Sequence, residues 1–419
     1  MFKPVTAPCG WNSWDCFGAA VTEKQVRANA KFMAENLKDY GWEYVVVDIQ
    51  WYEPGAVSHE YRRFAELCMD EYGRLIPAPG RFPSSEGGKG FKPLADYVHS
   101  LGLKFGIHIM RGIPRQAVTK DTKILGSDKT AKDAARFNSI CYWNPDMYGV
   151  EDNEAGKAYY DSVFKLYAEW GVDFVKCDDI ARELPREEKE LLMLSKALQE
   201  CGRDMVLSLS PGPALLEYAQ TYKETANMWR ITDDFWDDWK LLYAMFERAE
   251  KWSIHTGAGH YPDADMLPIG PIRQDYDKKN RTKFTKEEQI TMMTLWCIMR
   301  SPLFIGGDMP GFDDFTTGLV TNADIMRMHR NSRHAHQVFR KKTETGETIL
   351  WVAGNCEGGL YAAVFNAGDS ASEICIPLSE LEIYMPVKAL ELWSGRELEF
   401  EDEIRVKLPA HGATAYLFK

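Results

Sequence analysis

The sequence lacks the cysteine spacing that usually holds zinc or forms a disulfide framework. Its nine cysteines are scattered over 419 residues with no CxxC pair, and His108 has no HxH partner. Neither a zinc site nor a disulfide framework is therefore expected. The N-terminus has no apolar run typical of a signal peptide, and no stretch is long enough to cross a membrane. A reduced, cytoplasmic protein is the simplest expectation.

An excess of positive charge is also absent. The formal net charge is −12. The composition, with 45% hydrophobic and 27% charged residues, is typical of a globular protein. Because no basic cluster offsets the negative charge, nucleic acids and anionic membranes are not expected partners. The 13 tryptophans would suit stacking on sugar faces, although most tryptophans simply fill the core.

Short apolar strands alternate with amphipathic helices from residue 5 to about 330. The pattern gives roughly eight strand–helix units, with the seventh strand expected at 252–257, and it predicts an α/β fold of the (β/α)8 TIM barrel type. A doubly wound open sheet is the alternative, but no Gly-rich phosphate loop follows the first strand. The connections 52–90 and 111–152 are unusually long, and the first is expected to be functional or lid-like.

The pattern changes after about residue 335, where short strands follow one another without helices. Segments such as 348–352, 359–365 and 413–418 predict a small C-terminal antiparallel β-sandwich domain. The expected domains are therefore a catalytic barrel over 1–332 and a β domain over 333–419.

The segment 172–179 reads as a strand that ends in charged residues. Side chains alternate along a strand, so Phe174, Lys176 and Asp178 share one face, and Val175 and Cys177 share the other. Lys176 and Asp178 form either a simple salt bridge at the strand end or part of a site, because barrels carry their chemistry at the carboxyl ends of the strands.

Other polar residues also lie at the ends of predicted strands. At or just past predicted strand ends lie Asp15, Asp48, His108, Lys176, Asp178, Ser210, Arg230, Asp233, Asp234, Asp263 and Asp265. In a barrel these ends converge on one mouth, and carboxylates gathered there raise one another's pKa, which costs stability unless function uses it.

Three chemistries could use such a mouth. A divalent-ion site made of carboxylates is opposed by Lys176 and Arg230. A phosphate-binding barrel would need a Gly-rich loop near its last strands, for which Gly306-Gly307 is a weak candidate. Glycoside hydrolysis needs one ionised and one protonated carboxyl group. Lys176 would keep Asp178 ionised, and the charge of Asp233 would favour the protonated form of Asp234, as a retaining mechanism requires.

Several motifs resemble glycoside hydrolase family 27, the family of α-galactosidases and α-N-acetylgalactosaminidases. They run through the whole barrel in order, and they are Gly10-Trp11-Asn12-Ser13-Trp14, Val47-Asp48-Ile49-Gln50-Trp51, Val175-Lys176-Cys177-Asp178, Trp229-Arg230-Ile231-Thr232-Asp233-Asp234 and Pro262-Asp263-Ala264-Asp265. The resemblance implies a (β/α)8 barrel followed by an antiparallel β domain. It also implies that Asp178 is the nucleophile and Asp234 the acid/base.

The resemblance further implies a sugar pocket formed by Trp14, Asp48, Lys176, Arg230 and Asp265. Departures from the family pattern leave the sugar open. Ile49 stands where a second aspartate is usual, His108 where an aromatic residue is frequent, and Asp179 where glycine is usual. Ser210 lies near the place where α-galactosidases carry an acidic residue, as in relatives that accept a 2-acetamido group. We include His108 and Ser210 among the expected substrate-binding residues.

The expected activity is therefore that of a retaining exo-α-glycosidase of the α-galactosidase type, which needs no cofactor and no metal. α-N-Acetylgalactosaminidase activity, or action on another α- or β-pyranoside, is the first alternative. A non-catalytic carbohydrate-binding barrel is the second. The expected partner is a glycoside or oligosaccharide substrate, and a homo-oligomer remains open.

Overall fold

The computed structural model describes residues 2–343 and 346–419. The strands are β1 (Cys9–Asn12), β2 (Tyr44–Val47), β3 (Lys104–Met110), β4 (Ile113–Pro114), β5 (Ala135–Arg136), β6 (Met147–Val150), β7 (Phe174–Asp178), β8 (Val206–Leu209), β9 (Met228–Arg230), β10 (Tyr261–Asp263), β11 (Leu303–Ile305), β12 (Ser332–Thr343), β13 (Gly346–Asn355), β14 (Leu360–Asn366), β15 (Ser372–Pro377), β16 (Val387–Glu391), β17 (Arg396–Phe400), β18 (Glu403–Leu408) and β19 (Ala413–Phe418).

The α-helices alternate with the strands of the first 331 residues. They are α1 (Trp14–Phe17), α2 (Glu23–Asn36), α3 (Lys92–Ser100), α4 (Arg115–Lys120), α5 (Ala131–Ala134), α6 (Glu154–Trp170), α7 (Glu188–Glu200), α8 (Ala219–Thr225), α9 (Trp239–Ser253), α10 (Lys286–Met299), α11 (Asp314–Val320) and α12 (Ala323–Asn331). Helix α2 begins at a capping box formed by Thr22 and Gln25.

Eight parallel strands form the barrel in the order β10-β9-β8-β7-β3-β2-β1-β11. The two ends of this sheet meet just beyond β10, where Leu267 pairs in parallel with Ile305. The backbone N–H of Leu267 donates to the carbonyl of Phe304 at 2.7 Å. The predicted (β/α)8 architecture is confirmed.

Side chains along each barrel strand point alternately into the barrel and outward to the helices. Phe174 packs inside with Tyr44, Val46 and Phe304, whereas Val175 and Cys177 belong to the larger core between strands and helices. Parallel strands are buried on both faces, and for this reason they read as nearly continuous apolar runs.

The structure corrects three predictions of secondary structure. Residues 252–257 are not the seventh strand, because Trp252 and Ser253 complete the buried face of α9. The seventh strand is β10, whose three residues include a proline and are too few to show a pattern. The segment 111–152 is not a plain loop, since it contains α4, α5 and a three-stranded sheet in the order β4-β6-β5. The helices α8 and α11 were not predicted.

The C-terminal domain contains a six-stranded antiparallel sheet in the order β12-β13-β14-β19-β16-β17 and a two-stranded sheet of β15 and β18. Leu350, Val364, Ile376 and Ile404 pack between the two sheets, as expected of a sandwich. The opposite face of the large sheet lies on the barrel helices, where Phe365 meets Phe246 at a ring distance of 5.0 Å. No helix in the described part of the chain has the length and apolar character needed to cross a membrane.

Candidate active site

The predicted polar residues converge at the carboxyl end of the barrel. One pocket there is lined by Trp14, Asp15, Asp48, Tyr61, Lys176, Asp178, Arg230, Asp234, Phe235, Trp236, Asp265 and Met266. Seven of the nine predicted site residues are in this set. The other two, His108 and Ser210, are buried and lie behind the pocket wall.

Asp178, the last residue of β7, is held as a carboxylate by its neighbours. Burial by itself would raise its pKa, but the net effect of the surrounding donors is a pKa well below the usual value. The largest contribution comes from His108, whose Nε2–H donates to Asp178 Oδ2 at 3.1 Å. The charge of Lys176 and the polar hydroxyl of Ser210, which donates to the Cys177 carbonyl at 3.5 Å, act in the same direction. His108 and Ser210 thus do not line the pocket, but they influence the ionisation of Asp178, which does.

Lys176 forms its direct ion pair with Asp48, not with Asp178. Lys176 Nζ donates to Asp48 Oδ2 at 2.8 Å. Asn12 Nδ2 donates to the same oxygen at 2.7 Å, and the Ser13 hydroxyl accepts the backbone N–H of Asp48 at 2.9 Å. Burial is the largest influence and opposes ionisation of Asp48, but Lys176, His108 and Asn12 together lower the pKa of Asp48. The motif Gly10-Trp11-Asn12-Ser13-Trp14 therefore supplies two residues that fix the carboxylate of the second motif, Asp48.

Arg230, at the end of β9, connects two further carboxylates. Its Nη1 lies 2.8 Å from Asp265 Oδ1, and its Nη2 donates to Asp234 Oδ1 at 3.1 Å. Asp265 is buried, and burial raises its pKa although Arg230 opposes that shift. The Asp234 side chain is 58% exposed, against 13% for Asp178. The two predicted catalytic carboxyl groups therefore occupy different environments.

The acidic residues next to Asp178 and Asp234 form ion pairs with arginines. Asp233 pairs with Arg182 at 3.0 Å. Asp179 turns away from the pocket and pairs with the buried Arg111 at 2.8 Å. Its φ of +61° lies in the left-handed region, which favours glycine and explains why glycine suits this position in the family pattern. Burial raises the pKa of Asp179 to about 6, and Arg111 opposes the rise.

Besides Asp15, four residues of the pocket were not among the predicted site residues, namely Tyr61, Phe235, Trp236 and Met266. Tyr61 comes from the long 52–90 connection and stacks on Trp14 with ring centroids 5.6 Å apart. Trp236 follows the acidic pair Asp233-Asp234. The expected functional role of the 52–90 connection fits this placement, but no local pattern singles out Tyr61.

Asp15 was noted as a strand-end carboxylate but was not selected as a site residue. Its Oδ2 is buried without a hydrogen-bond partner, and burial, with the charge of Asp265, raises its pKa well above the usual value. Burial and the neighbouring carboxylates thus favour the protonated form of Asp15. Among residues 2–343 and 346–419, no group of three His, Cys, Asp or Glu side chains is arranged to hold a metal ion.

Family models match both parts of the chain. The model described as "Alpha galactosidase A" matches residues 6–148 and 151–331. The model described as "Alpha galactosidase C-terminal beta sandwich domain" matches residues 345–418. Curated relatives include an α-galactosidase of Coffea arabica, 29% identical over 99% of this chain and 93% of the relative. Another is an α-galactosidase of Cyamopsis tetragonoloba, 26% identical over 98% of this chain and 86% of the relative.

Solved structures include two at about half identity. A β-L-arabinopyranosidase of glycoside hydrolase family 27 from Geobacillus stearothermophilus is 52% identical, with a TM-score of 0.96, and the match covers 99% of this chain and 96% of that one. A Bacillus halodurans C-125 protein, described only provisionally as an α-N-acetylgalactosaminidase, is 50% identical with a TM-score of 0.88, and the match covers 99% and 97% of the two chains.

Proposed function

The chain belongs to glycoside hydrolase family 27, and on that basis we propose that it removes a terminal pyranose of galactose configuration with retention, preferring β-L-arabinopyranosides to α-D-galactosides. The reaction rests on one observation, the contrast between a buried, ionised Asp178 and a largely exposed Asp234 in the same pocket. A retaining glycosidase needs two carboxyl groups with separate roles.

Asp178 is the proposed nucleophile. Its carboxylate attacks the anomeric carbon and forms a covalent glycosyl–enzyme ester while the bond to the leaving oxygen breaks. The hydrogen bond from His108 and the charge of Lys176 keep this carboxylate ionised despite its burial. The carboxylate is also fixed in orientation, because His108 holds Oδ2 and the backbone N–H of Asp179 donates to Oδ1 at 3.1 Å.

Asp234 is the proposed general acid and base. In the first step it gives its proton to the leaving oxygen, and in the second it removes a proton from the water that attacks the ester. Its exposure suits this role, because the leaving group and then the water must reach it from the solvent side. Arg230 positions the carboxyl group through Oδ1 and leaves Oδ2 for the proton.

The sugar preference rests on residue 49. Ile49 follows Asp48, is 1% exposed and contributes only an aliphatic side chain where the family pattern has a second carboxylate. β-L-Arabinopyranose has the ring configuration of α-D-galactopyranose but no hydroxymethyl group. With an aliphatic residue in place of that carboxylate, position 49 offers no hydrogen-bond partner to a hydroxymethyl group, and a hydroxyl buried without a partner is costly. The relation to the Geobacillus stearothermophilus β-L-arabinopyranosidase supports the same choice.

The test compares kcat/KM for nitrophenyl β-L-arabinopyranoside, α-D-galactopyranoside and α-N-acetylgalactosaminide. We expect the first to be the best substrate and its product to appear first as the β anomer by NMR. Ile49→Asp should shift the ratio toward the α-D-galactoside by at least about tenfold, and the matched apolar variant Ile49→Leu should not. Failure to hydrolyse any of the three substrates would contradict the proposed function, and an unchanged ratio in Ile49→Asp would contradict the sugar preference.

A further inference from the structure

A large open groove adjoins the sugar pocket. It has a volume of about 850 Å³ and begins at Trp14, Asp234 and Trp236, which also line the sugar pocket. It extends past Tyr276 and Arg273 to Trp239. Cavities of about 300–1,000 Å³ hold ligands of drug size, so this groove, here named the outer groove, can accept more than a single sugar ring.

The outer groove starts where a leaving group must lie. If Asp234 protonates the leaving oxygen, the atoms beyond that oxygen have to extend from Asp234 away from the sugar pocket. Asp234 lines both the sugar pocket and the outer groove, and its exposed side faces the groove. A leaving group bound to Asp234 would therefore extend from the pocket into the groove. This step depends on the proposed function.

The near part of the outer groove is a rigid aromatic surface. The Tyr276 ring is 57% exposed and stacks on His59, with centroids 5.5 Å apart and an angle of 11°. His59 is fixed by Asp275, 2.7 Å from its Nδ1, and contacts the edges of Trp14 and Trp236 at 5.0 and 5.7 Å. The free face of Tyr276 is therefore presented to the groove at little cost in side-chain entropy.

Charged side chains are interleaved with these rings. Arg273 lies over Trp236 at 5.4 Å and forms a bidentate pair with Asp237, with both distances 2.9 Å. A sugar presents C–H faces to aromatic rings and hydroxyl groups to planar charged groups. A purely aromatic or lipid leaving group would gain from the rings but would desolvate the charged groups without replacing their hydrogen bonds.

The far end of the outer groove, at Trp239, is supported by the C-terminal domain. Trp239 stacks on His411 with centroids 3.6 Å apart and an angle of 10°. His411 is itself held by Glu288, whose carboxylate lies 2.8 Å from Nδ1. Thus a residue of the β domain fixes the orientation of a tryptophan of the barrel.

We propose that the outer groove is an extended leaving-group site for an oligosaccharide or polysaccharide, in which Tyr276 and Trp236 stack on the first sugars and Trp239, positioned by His411, stacks on a more distant one. The C-terminal domain contributes to substrate selection through His411. The enzyme is then adapted to trim terminal sugars from long chains rather than from small glycosides.

The test uses substrates with the same terminal sugar and three leaving groups, namely fluoride, a single sugar and a trisaccharide. Fluoride leaves without protonation and occupies none of the outer groove. In Tyr276→Ala the ratio of kcat/KM for the trisaccharide conjugate to kcat/KM for the fluoride should fall about tenfold. In Trp239→Ala this ratio should fall while the ratio of the single-sugar substrate to the fluoride stays constant.

Controls separate the outer groove from general damage. Tyr384→Ala removes another exposed tyrosine, 82% exposed in the β domain, and should leave all ratios unchanged. His411→Ala should reproduce Trp239→Ala, and His411→Phe, which keeps a flat ring against Trp239, should restore the trisaccharide preference. A purely structural role of His411 would instead lower all three rates together.

Each remaining outcome has a defined meaning. If wild-type protein hydrolyses no fluoride, the proposed function itself is wrong. If it hydrolyses the fluoride and the ratios are the same in Tyr276→Ala and Trp239→Ala as in wild type, the leaving-group site is refuted and the function stands. If nitrophenyl glycosides lose as much as the trisaccharide conjugate, the groove selects aryl groups, and the assignment to carbohydrate is refuted.

Discussion

Replacing Lys176 by methionine tests how the pocket keeps two buried carboxylates ionised. Lys176 lies 2.8 Å from Asp48, and the two side chains are 13% and 2% exposed. At this distance the attraction is about 6 kcal/mol for an effective dielectric constant of about 20. Removal of one partner from a buried pair typically costs about 3–5 kcal/mol. We expect about 3 kcal/mol, because Asn12 still donates to Asp48.

The loss of stability in Lys176→Met should depend on pH. In wild type the pKa of Asp48 is lowered, so its contribution to stability is present above the unfolded pKa of about 4 and is lost as pH falls. Without Lys176, burial dominates and the folded-state pKa rises above the unfolded value. Stability is then lost as pH rises through the new pKa. The difference between wild type and variant should therefore be largest near pH 7 and smallest near pH 4.

The assay is urea denaturation of wild type, Lys176→Met, Asp48→Asn and the double variant at pH 4.5 and pH 7. The double variant should recover part of the loss, because no unpaired buried charge remains. Lys31→Met is the matched control, since Lys31 and Glu35 form an exposed pair worth at most about 0.5 kcal/mol. Equal midpoints for wild type and Lys176→Met at pH 7 would refute this account of the pocket.

Three further predictions concern single residues. Asp179→Asn should gain stability relative to wild type as pH rises from 4 to 7, by up to about 3 kcal/mol. The folded-state pKa of Asp179 is raised to about 6, so the wild type loses stability over that range; a melting-temperature difference that is constant with pH would contradict this. Asp234→Ala should lower kcat/KM for oligosaccharides by about 10²–10⁴ but have little effect on kcat/KM for a glycosyl fluoride, whose leaving group needs no protonation; equal losses of kcat/KM on both would exclude the acid role. Tyr61→Ala should raise KM for the terminal sugar by up to about tenfold through the lost stack on Trp14. Calorimetric titration with the free sugar checks this, and an affinity equal to that of wild type would contradict it.

Much of the fold follows from local patterns. The alternation of Phe174, Lys176 and Asp178 with Val175 and Cys177 is a property of any extended backbone, and the structure shows it unchanged. The amphipathic helices also carry local end signals, as α6 shows with an Asn153 cap at its start and Gly171 at its end. The shortest strand was misplaced, because β10 has only three residues and its position depends on pairing with β9.

The positions of the polar site residues were predictable for a similar reason. The carboxyl ends of parallel strands must meet at one mouth of a closed barrel, so a carboxylate at each strand end predicts a pocket there. The contacts inside the pocket were not predictable. The sequence places Lys176 beside Asp178, whereas the structure pairs it with Asp48, 128 residues away.

By itself the sequence determined the architecture, the faces of the strands and the set of residues at the barrel mouth. Each of these follows from backbone geometry and from burial that repeats over a few residues. Tertiary structure alone decided that Arg111 removes Asp179 from the pocket, that Tyr61 reaches Trp14 and that His411 supports Trp239. Such contacts join distant segments, and they depend on how whole layers pack rather than on any local preference of the chain.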